Sequence, residues 1–397
     1  MNVKDAFLLD PPRPARSLVV GGRGVLLSCL LLLWAVQVAA SHGTNQPPNH
    51  NHGFTYLHDQ VAEVPWSIHI VKIDRARQDL EFQTTLGEGT NLGMGLVSDQ
   101  AKSLPSKLGK PLAAINGDFY RKTKNYPGDP EGLQIYDGEL VSAPLPTRVC
   151  FWVDADGNPQ RTNVTSQFKV TWPDGTSAPF GLNEDRANEE AVLYTAAIGK
   201  STRTSGGVEL VLENKDDGPW LPLRIGKTYT VRVRSVCEGG DALVTADTMV
   251  LSVGPRMTPA APRLAAGAVL KISTATMPDL NGAKTAIGGG PTLVRGGSAM
   301  SWSGLQIRHP RTALGWNKDY IFMVEVDGRQ RNLSVGMTLP ELATYMVKLG
   351  CQEAMNLDGG GSATLWVLGN VMNSPSEGKE RPAANALILV HKEKPPK

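Results

Sequence analysis

The chain has 397 residues, a formal net charge of +2 and 6% aromatic residues. That length holds one large domain or two ordinary ones, and the near-balanced charge leaves no basic footprint for nucleic acid. Four cysteines in such a length exclude a disulfide-built scaffold.

Arg13, Arg16 and Arg23 precede the apolar run Val25-Leu-Leu-Ser-Cys-Leu-Leu-Leu-Leu-Trp-Ala-Val-Gln-Val-Ala-Ala40. Charged, apolar and small-residue parts in that order predict a secretory signal over residues 1–40, cut after Ala40, or an uncleaved N-terminal anchor. Either form places the protein outside the cytoplasm, secreted or in the cell envelope, and confines membrane contact to this segment. If the segment is removed, Cys150, Cys237 and Cys351 remain, enough for at most one internal disulfide. Residues 41–60 are polar, with His42, His50, His52 and His58 among Asn and Pro. They read as a disordered linker leading to the folded domain, with weak binding of a transition metal as the alternative. A folded domain is expected over 61–392, followed by a frayed tail at 393–397.

Within the domain a helix-like segment, about 96–108, is interrupted by Pro105 and stopped by Gly109. An apolar run then delivers Asn116-Gly-Asp118, unless Asn116-Gly117 is a hairpin turn. Asp-Gly pairs at 137–138, 156–157, 174–175 and 327–328 mark turns between β-prone runs. Residues 228–236 alternate apolar and polar as a half-buried strand, and 268–276 look similar. Thr338 and Glu341 form a capping box with Pro340 in the first turn, and Gly350 ends that helix. A second apolar run then delivers Asn356 and Asp358. The expected fold class is α+β: one strand-rich domain in which two helix–strand units frame a β-rich middle, about 145–285, that can be a subdomain or an insertion.

Alternate residues of a strand share a face, so Asn356 and Asp358 are expected to point together. Gly359, Gly360 and Gly361 follow at once. Bare N–H groups on such a run can form a nest for an anion. A second glycine-rich stretch contains Gly289 and Gly290, followed by Arg308-His-Pro-Arg311 and, near the end, Arg381. Arginine's planar fork suits bidentate contact with carboxylate or phosphate.

These segments together resemble the phosphodiester glycosidase family. The motifs that carry the resemblance are Asn116-Gly-Asp-Phe-Tyr120, Asp137-Gly-Glu-Leu-Val141, Ile287-Gly-Gly-Gly-Pro-Thr-Leu293, Arg308-His-Pro-Arg-Thr-Ala-Leu-Gly315, Asn356-Leu-Asp-Gly-Gly-Gly-Ser362 and Arg381-Pro-Ala-Ala-Asn385. His309 departs from the family's pattern, where a smaller or amide residue is expected. The resemblance implies hydrolysis of a sugar 1-phosphodiester or phosphoglycan at the sugar's C1–O bond. Asp358 would then be nucleophile or base, with Asp118 as its partner and Arg311 holding the phosphate. Asn116 and Asn356 would bind sugar hydroxyls or fix the carboxylates. Ser362 and Thr364 could bond the sugar, and Gly289, Gly290, Gly359, Gly360, Gly361, Arg308 and Arg381 would line the substrate. Two other readings stay open. Asp118, Asp358 and the two asparagines can instead hold Ca²⁺ or Mg²⁺ for P–O cleavage, or the same cleft can bind glycan without turnover.

Overall fold

Apolar residues alternate along the central strands, and each of these strands feeds two cores. In strand Ala386–His391, Leu387 and Leu389 face one core while Ala386, Ile388 and Val390 face another. In strand Lys110–Asn116, Leu112 and Ile115 join the first core and Ala114 the second. The computed structural model describes residues 53–392, apart from residues 124, 217 and 259–261. The expected signal or anchor, the first part of the polar linker and the frayed tail lie outside the described residues.

Three sheets carry the site. A seven-stranded sheet has the order Phe54–Val61, Trp66–Asp74, Tyr320–Val326, Arg311–Trp316, Glu353–Asn356, Thr292–Arg295, Ser298–Ala299. A five-stranded sheet runs Asn370–Val371, Leu365–Val367, Lys110–Asn116, Ala386–His391, Leu80–Thr84. A second five-stranded sheet runs Pro159–Asn163, Val149–Val153, Ala286–Gly289, Gln134–Tyr136, Glu139–Ser142. Their facing side chains, among them Phe151, Ile287, Leu314, Met355, Leu365 and Leu387, form one shared core. The β-rich middle forms an eight-stranded sheet within residues 169–273, with a core of its own that takes in Leu133, Ile135 and Leu140.

The fold is mostly β rather than an even α+β mixture. Two α-helices are described, Val97–Lys102 and Leu339–Lys348. Each covers the outer face of a sheet: Val97 and Ala101 pack on Ala114 and Ile388, and Leu342 and Met346 pack on Val324 and Ala354. The later helix has the expected capping box, and Gly350 leaves it at φ 86°. The earlier one stops at Lys102, and a short 3-10 turn, Ser106–Leu108, follows Pro105. Neither helix is long and apolar enough to cross a membrane.

Three Asp-Gly turns join neighbouring strands as expected, and at the first Asp137 and Gly138 both take positive φ (49° and 77°). The fourth does not. Asp327 is buried, and a Cβ on Gly328 would lie 2.6 Å from Pro310 N, so that glycine serves close approach. Asn116-Gly117 is no hairpin either, because Gly117 N–H donates to Asn385 O at 2.9 Å. Strand Phe54–Val61 runs through the last part of the expected linker and pairs with Trp66–Asp74. Cys150, Cys237 and Cys351 are free thiols. Burial pushes the Cys150 thiol up to about 12, which makes it inert.

Candidate active site

The candidate residues gather where strands of the three sheets end. Asp118 follows strand Lys110–Asn116, and Asp358 follows strand Glu353–Asn356. Asn116 Nδ2 donates to Asp358 O at 2.7 Å, and Asp358 N–H returns a bond to Gly117 O at 3.0 Å. Asn116 Oδ1 accepts from Thr312 Oγ1 at 2.6 Å and from Thr364 N–H at 3.1 Å. Asn116 is thus a buried strut that ties the two acidic loops together. Asn356 Nδ2 donates to Gly290 O at 2.9 Å, and Gly290 N–H donates to Asn356 O at 2.7 Å. Thr364 is buried and bonds Ser362 O at 3.2 Å. Asn356, Gly290 and Thr364 therefore brace the site from behind.

Asp118 is 1% exposed. Its Oδ1 accepts Phe119 N–H at 2.8 Å and its Oδ2 accepts Gly132 N–H at 2.7 Å. Asn385 Oδ1 holds the Asp118 N–H at 2.9 Å, while Asn385 Nδ2 bonds Gln134 Oε1 at 2.9 Å. Burial pushes the Asp118 carboxyl up to about 7 against the pull of those N–H groups and of Arg148. The carboxyl fits because two glycines flank it. A Cβ on Gly288 would lie 2.2 Å from Asp118 Oδ2 and 2.9 Å from Gly132 Cα. Gly288→Ala must therefore displace the carboxyl or the Gly132 backbone. Its expected cost is about 1–3 kcal/mol of stability, with a parallel loss of turnover. A variant with unchanged urea midpoint and rate would show that this packing is slack.

Asp358 is half-buried, and its carboxyl also rises through burial, opposed by a hydrogen bond from Ser362 and by Arg381. Arg381 donates to Ser362 Oγ at 2.7 Å and pairs with Glu377 at 3.2 Å, so Arg381, Ser362 and Asp358 form a chain. The glycine run is less bare than expected. Gly359 N–H bonds Asp358 Oδ1 at 2.8 Å, Gly360 N–H bonds Pro310 O at 2.9 Å, and Ser362 N–H bonds Gly359 O at 3.2 Å. The glycines instead allow close approach. A Cβ on Gly359 would lie 2.6 Å from Pro310 O, and one on Gly361 would lie 2.1 Å from Glu377 Oε1. Gly289 does the same beside Asn356 O, at 2.8 Å.

The arginines divide into two kinds. Arg308 is engaged with Glu341 of the capping box, Nε to Oε2 at 3.1 Å. Arg311 donates to Met337 O at 2.8 Å and Ile307 O at 3.1 Å and has no ion pair with a described carboxylate. Arg329, which sequence reasoning missed, is exposed, takes φ 62° and likewise has no such ion pair. Its guanidinium lies 3.2 Å from His309 Nδ1 and 3.0 Å from where a Gly360 Cβ would stand. Burial and the charges of Arg311 and Arg329 lower the His309 imidazole, which keeps it neutral at pH 7. A left-handed non-glycine residue beside a site is a common mark of function. Glu131 and Arg148, also missed, pair with each other, and the Glu131 charge reaches both Asp118 and Asp358. No motif marks Glu131, Arg148 or Arg329.

For the divalent-cation reading, the Asn116 amide oxygen is already taken by two donors, whereas Asn356 Oδ1 is buried without a partner. A separate cleft of about 660 Å³, bordered by Arg77, Glu81, Asp154 and Lys284, includes none of the candidate residues.

Fold and site define a mostly-β protein that collects carboxyls and unneutralised arginines at its strand ends. Residues 231–390 match the model of the phosphodiester glycosidase family, so the resemblance drawn from the motifs holds over that stretch. The motifs around Asn116 and Asp137 lie outside the matched stretch. A prophage-derived protein of Bacillus subtilis strain 168, YomE, is 36% identical over 90 residues, 22% of this chain and 14% of that protein. A protein from Synechocystis superposes with TM-score 0.69 at 19% identity, over 87% of this chain and 64% of that one. One from Burkholderia pseudomallei K96243, named as a candidate for export, does so with TM-score 0.64 at 22% identity, over 82% and 74%. These two likenesses establish the fold.

Proposed function

We propose that this protein is an exported hydrolase, secreted or held in the cell envelope, that cleaves the C1–O bond of a sugar 1-phosphodiester. A GlcNAc-1-phosphodiester or a phosphoglycan built from such units is the substrate class, and free sugar and a phosphomonoester are the products. The observation that carries this reading is that Asn116 ties the Asp118 and Asp358 loops together while Arg311 and Arg329, which no described carboxylate neutralises, border Gly359 and Gly360 beside Asp358. The family match supports the same chemistry.

Breaking C1–O passes through an oxocarbenium-like state served by two carboxyl groups. Asp358, partly open and oriented by Ser362 and the Gly359 N–H, attacks C1 or deprotonates water. Asp118, its partner, orients the water or the sugar from its buried position. The leaving phosphate already departs well, so neutralising its charge is the larger task. Arg311 and Arg329 face that task beside Gly359 and Gly360, and Arg381 supports Asp358 through Ser362.

The test supplies the full chain with UDP-GlcNAc and separates the products. Free GlcNAc with UDP is the expected result. GlcNAc 1-phosphate with UMP would mean P–O cleavage and would transfer the site to metal-assisted phosphodiester chemistry. No product from this or other sugar 1-phosphodiesters, with retained sugar binding, would make the cleft a glycan-binding site.

A further inference from the structure

A second cluster of chemistry-bearing side chains lies inside the seven-stranded sheet. His69 sits in strand Trp66–Asp74 and Glu325 directly opposite it in strand Tyr320–Val326, with Asp327 just beyond. One ligand atom from each lies within 4.8 Å of the others, and exposure is 3%, 0% and 1% respectively. His69 Nε2 and Asp327 Oδ2 are 3.0 Å apart. Ligands around a tetrahedral zinc ion, each about 2.0–2.2 Å from the metal, stand about 3.3 Å from one another.

The decisive feature is Glu325. Neither carboxyl oxygen has a hydrogen-bond partner, although both are fully buried. Asn373 gives one amide hydrogen to Ala363 O at 3.1 Å, and its second acts on Glu325 only from outside hydrogen-bond geometry. Among the described residues, no Lys or Arg pairs with Glu325 or Asp327. A buried carboxyl without a partner is costly unless it is neutralised by a proton or a cation.

The surroundings favour the cation. Tyr56 OH lies 2.7 Å from His69 Nδ1, the second-sphere contact that fixes an imidazole with its Nε2 toward a metal. Asp327 is likewise held, by Ser67 Oγ at 2.8 Å on Oδ2 and by Ser374 N–H at 2.7 Å on Oδ1. The first two ligands are thus pre-oriented while the third is left open. One imidazole and two carboxylates suit a divalent first-row cation, zinc foremost.

We propose that His69, Glu325 and Asp327 bind one structural Zn²⁺ ion, in a cluster that includes neither Asp118 nor Asp358. The ion balances the two acids. It also pins the segment that carries Arg329, and, through Ser374, the segment that leads to Glu377 and Arg381.

The test strips the full chain with a chelator, restores ZnCl₂, dialyses, and measures metal content and melting temperature for wild type and Glu325→Gln. The expected result is one retained zinc per chain and a rise in Tm of about 3 °C or more, both lost in the variant. Equal zinc content in both proteins would overturn the proposal, because it would place the metal elsewhere, as on His42, His50 and His52. No retained zinc in wild type would overturn it as well. Should the variant not fold, X-ray absorption of zinc-loaded wild type decides. One imidazole with oxygen neighbours supports the site, and two or more imidazoles refute it.

Discussion

Replacing Asp358 by Asn is expected to lower kcat by about 10²–10⁴-fold while leaving the fold intact. In the resting protein the Asp358 carboxyl has two hydrogen-bond partners, Gly359 N–H and Ser362. Its Oδ1 accepts Gly359 N–H at 2.8 Å, a bond that an amide oxygen keeps. The amide can also meet the Ser362 hydroxyl, which accepts from Arg381 and can rotate. Asp358 is only half-buried, so no unpaired group is forced into the core. What disappears is the anionic oxygen that, in the proposed reaction, attacks C1 or takes a proton from water. The measurement is turnover of a sugar 1-phosphodiester alongside the urea midpoint of each protein. Near-normal turnover in a folded variant would remove Asp358 from the chemistry. A collapsed midpoint would instead mark it as a strut like Asn116.

The local parts of this structure were legible in the sequence, and the long-range parts were not. The capping box at Thr338 and Glu341 and the stop at Gly350 need only neighbouring residues, and they stand as read. The paired Asn-x-Asp loops were also visible, because each ends an apolar run. Their asparagines were read as binding sugar hydroxyls or fixing the carboxylates; both side chains donate to main-chain carbonyls, Asn116 to that of Asp358 itself, because the strands end at Asn116 and Asn356 and the chain turns inward there. Arg308 was read as lining the substrate, and its partner Glu341, 33 residues away, could not be named from spacing. Arg329 hid in what read as an Asp-Gly hairpin. Glu131 acquires meaning only when strand Gln134–Tyr136 brings it toward Asp358. A strand-rich fold assembles its site from separate chain segments, so motif spacing alone could not name these partners.

Asp118→Asn is expected to change how stability depends on pH. The Asp118 carboxyl titrates at about 7 in the fold against 3.8 when unfolded, chiefly through burial. Between those values the folded state binds more protons than the unfolded state, so stability falls as pH rises. The group costs little at acid pH and on the order of 4 kcal/mol above its folded pKa. Asp129 and Glu139, also pushed up to about 7 by burial, slope the same way, so the wild-type profile alone does not isolate Asp118. The difference between variant and wild type does. Asparagine leaves the Gly132 N–H facing an NH₂ group, a penalty of about 1–3 kcal/mol that is the same at every pH. Relative to wild type, the variant should therefore gain about 3 kcal/mol between about pH 4.5 and about pH 8.5, read by urea unfolding at both. An unchanged difference across that range would mean that Asp118 keeps an ordinary carboxylate pKa. The slope bears on the proposed reaction: a carboxyl that titrates at about 7 can exchange a proton near neutral pH, and the lost alkaline stability accompanies keeping it dry.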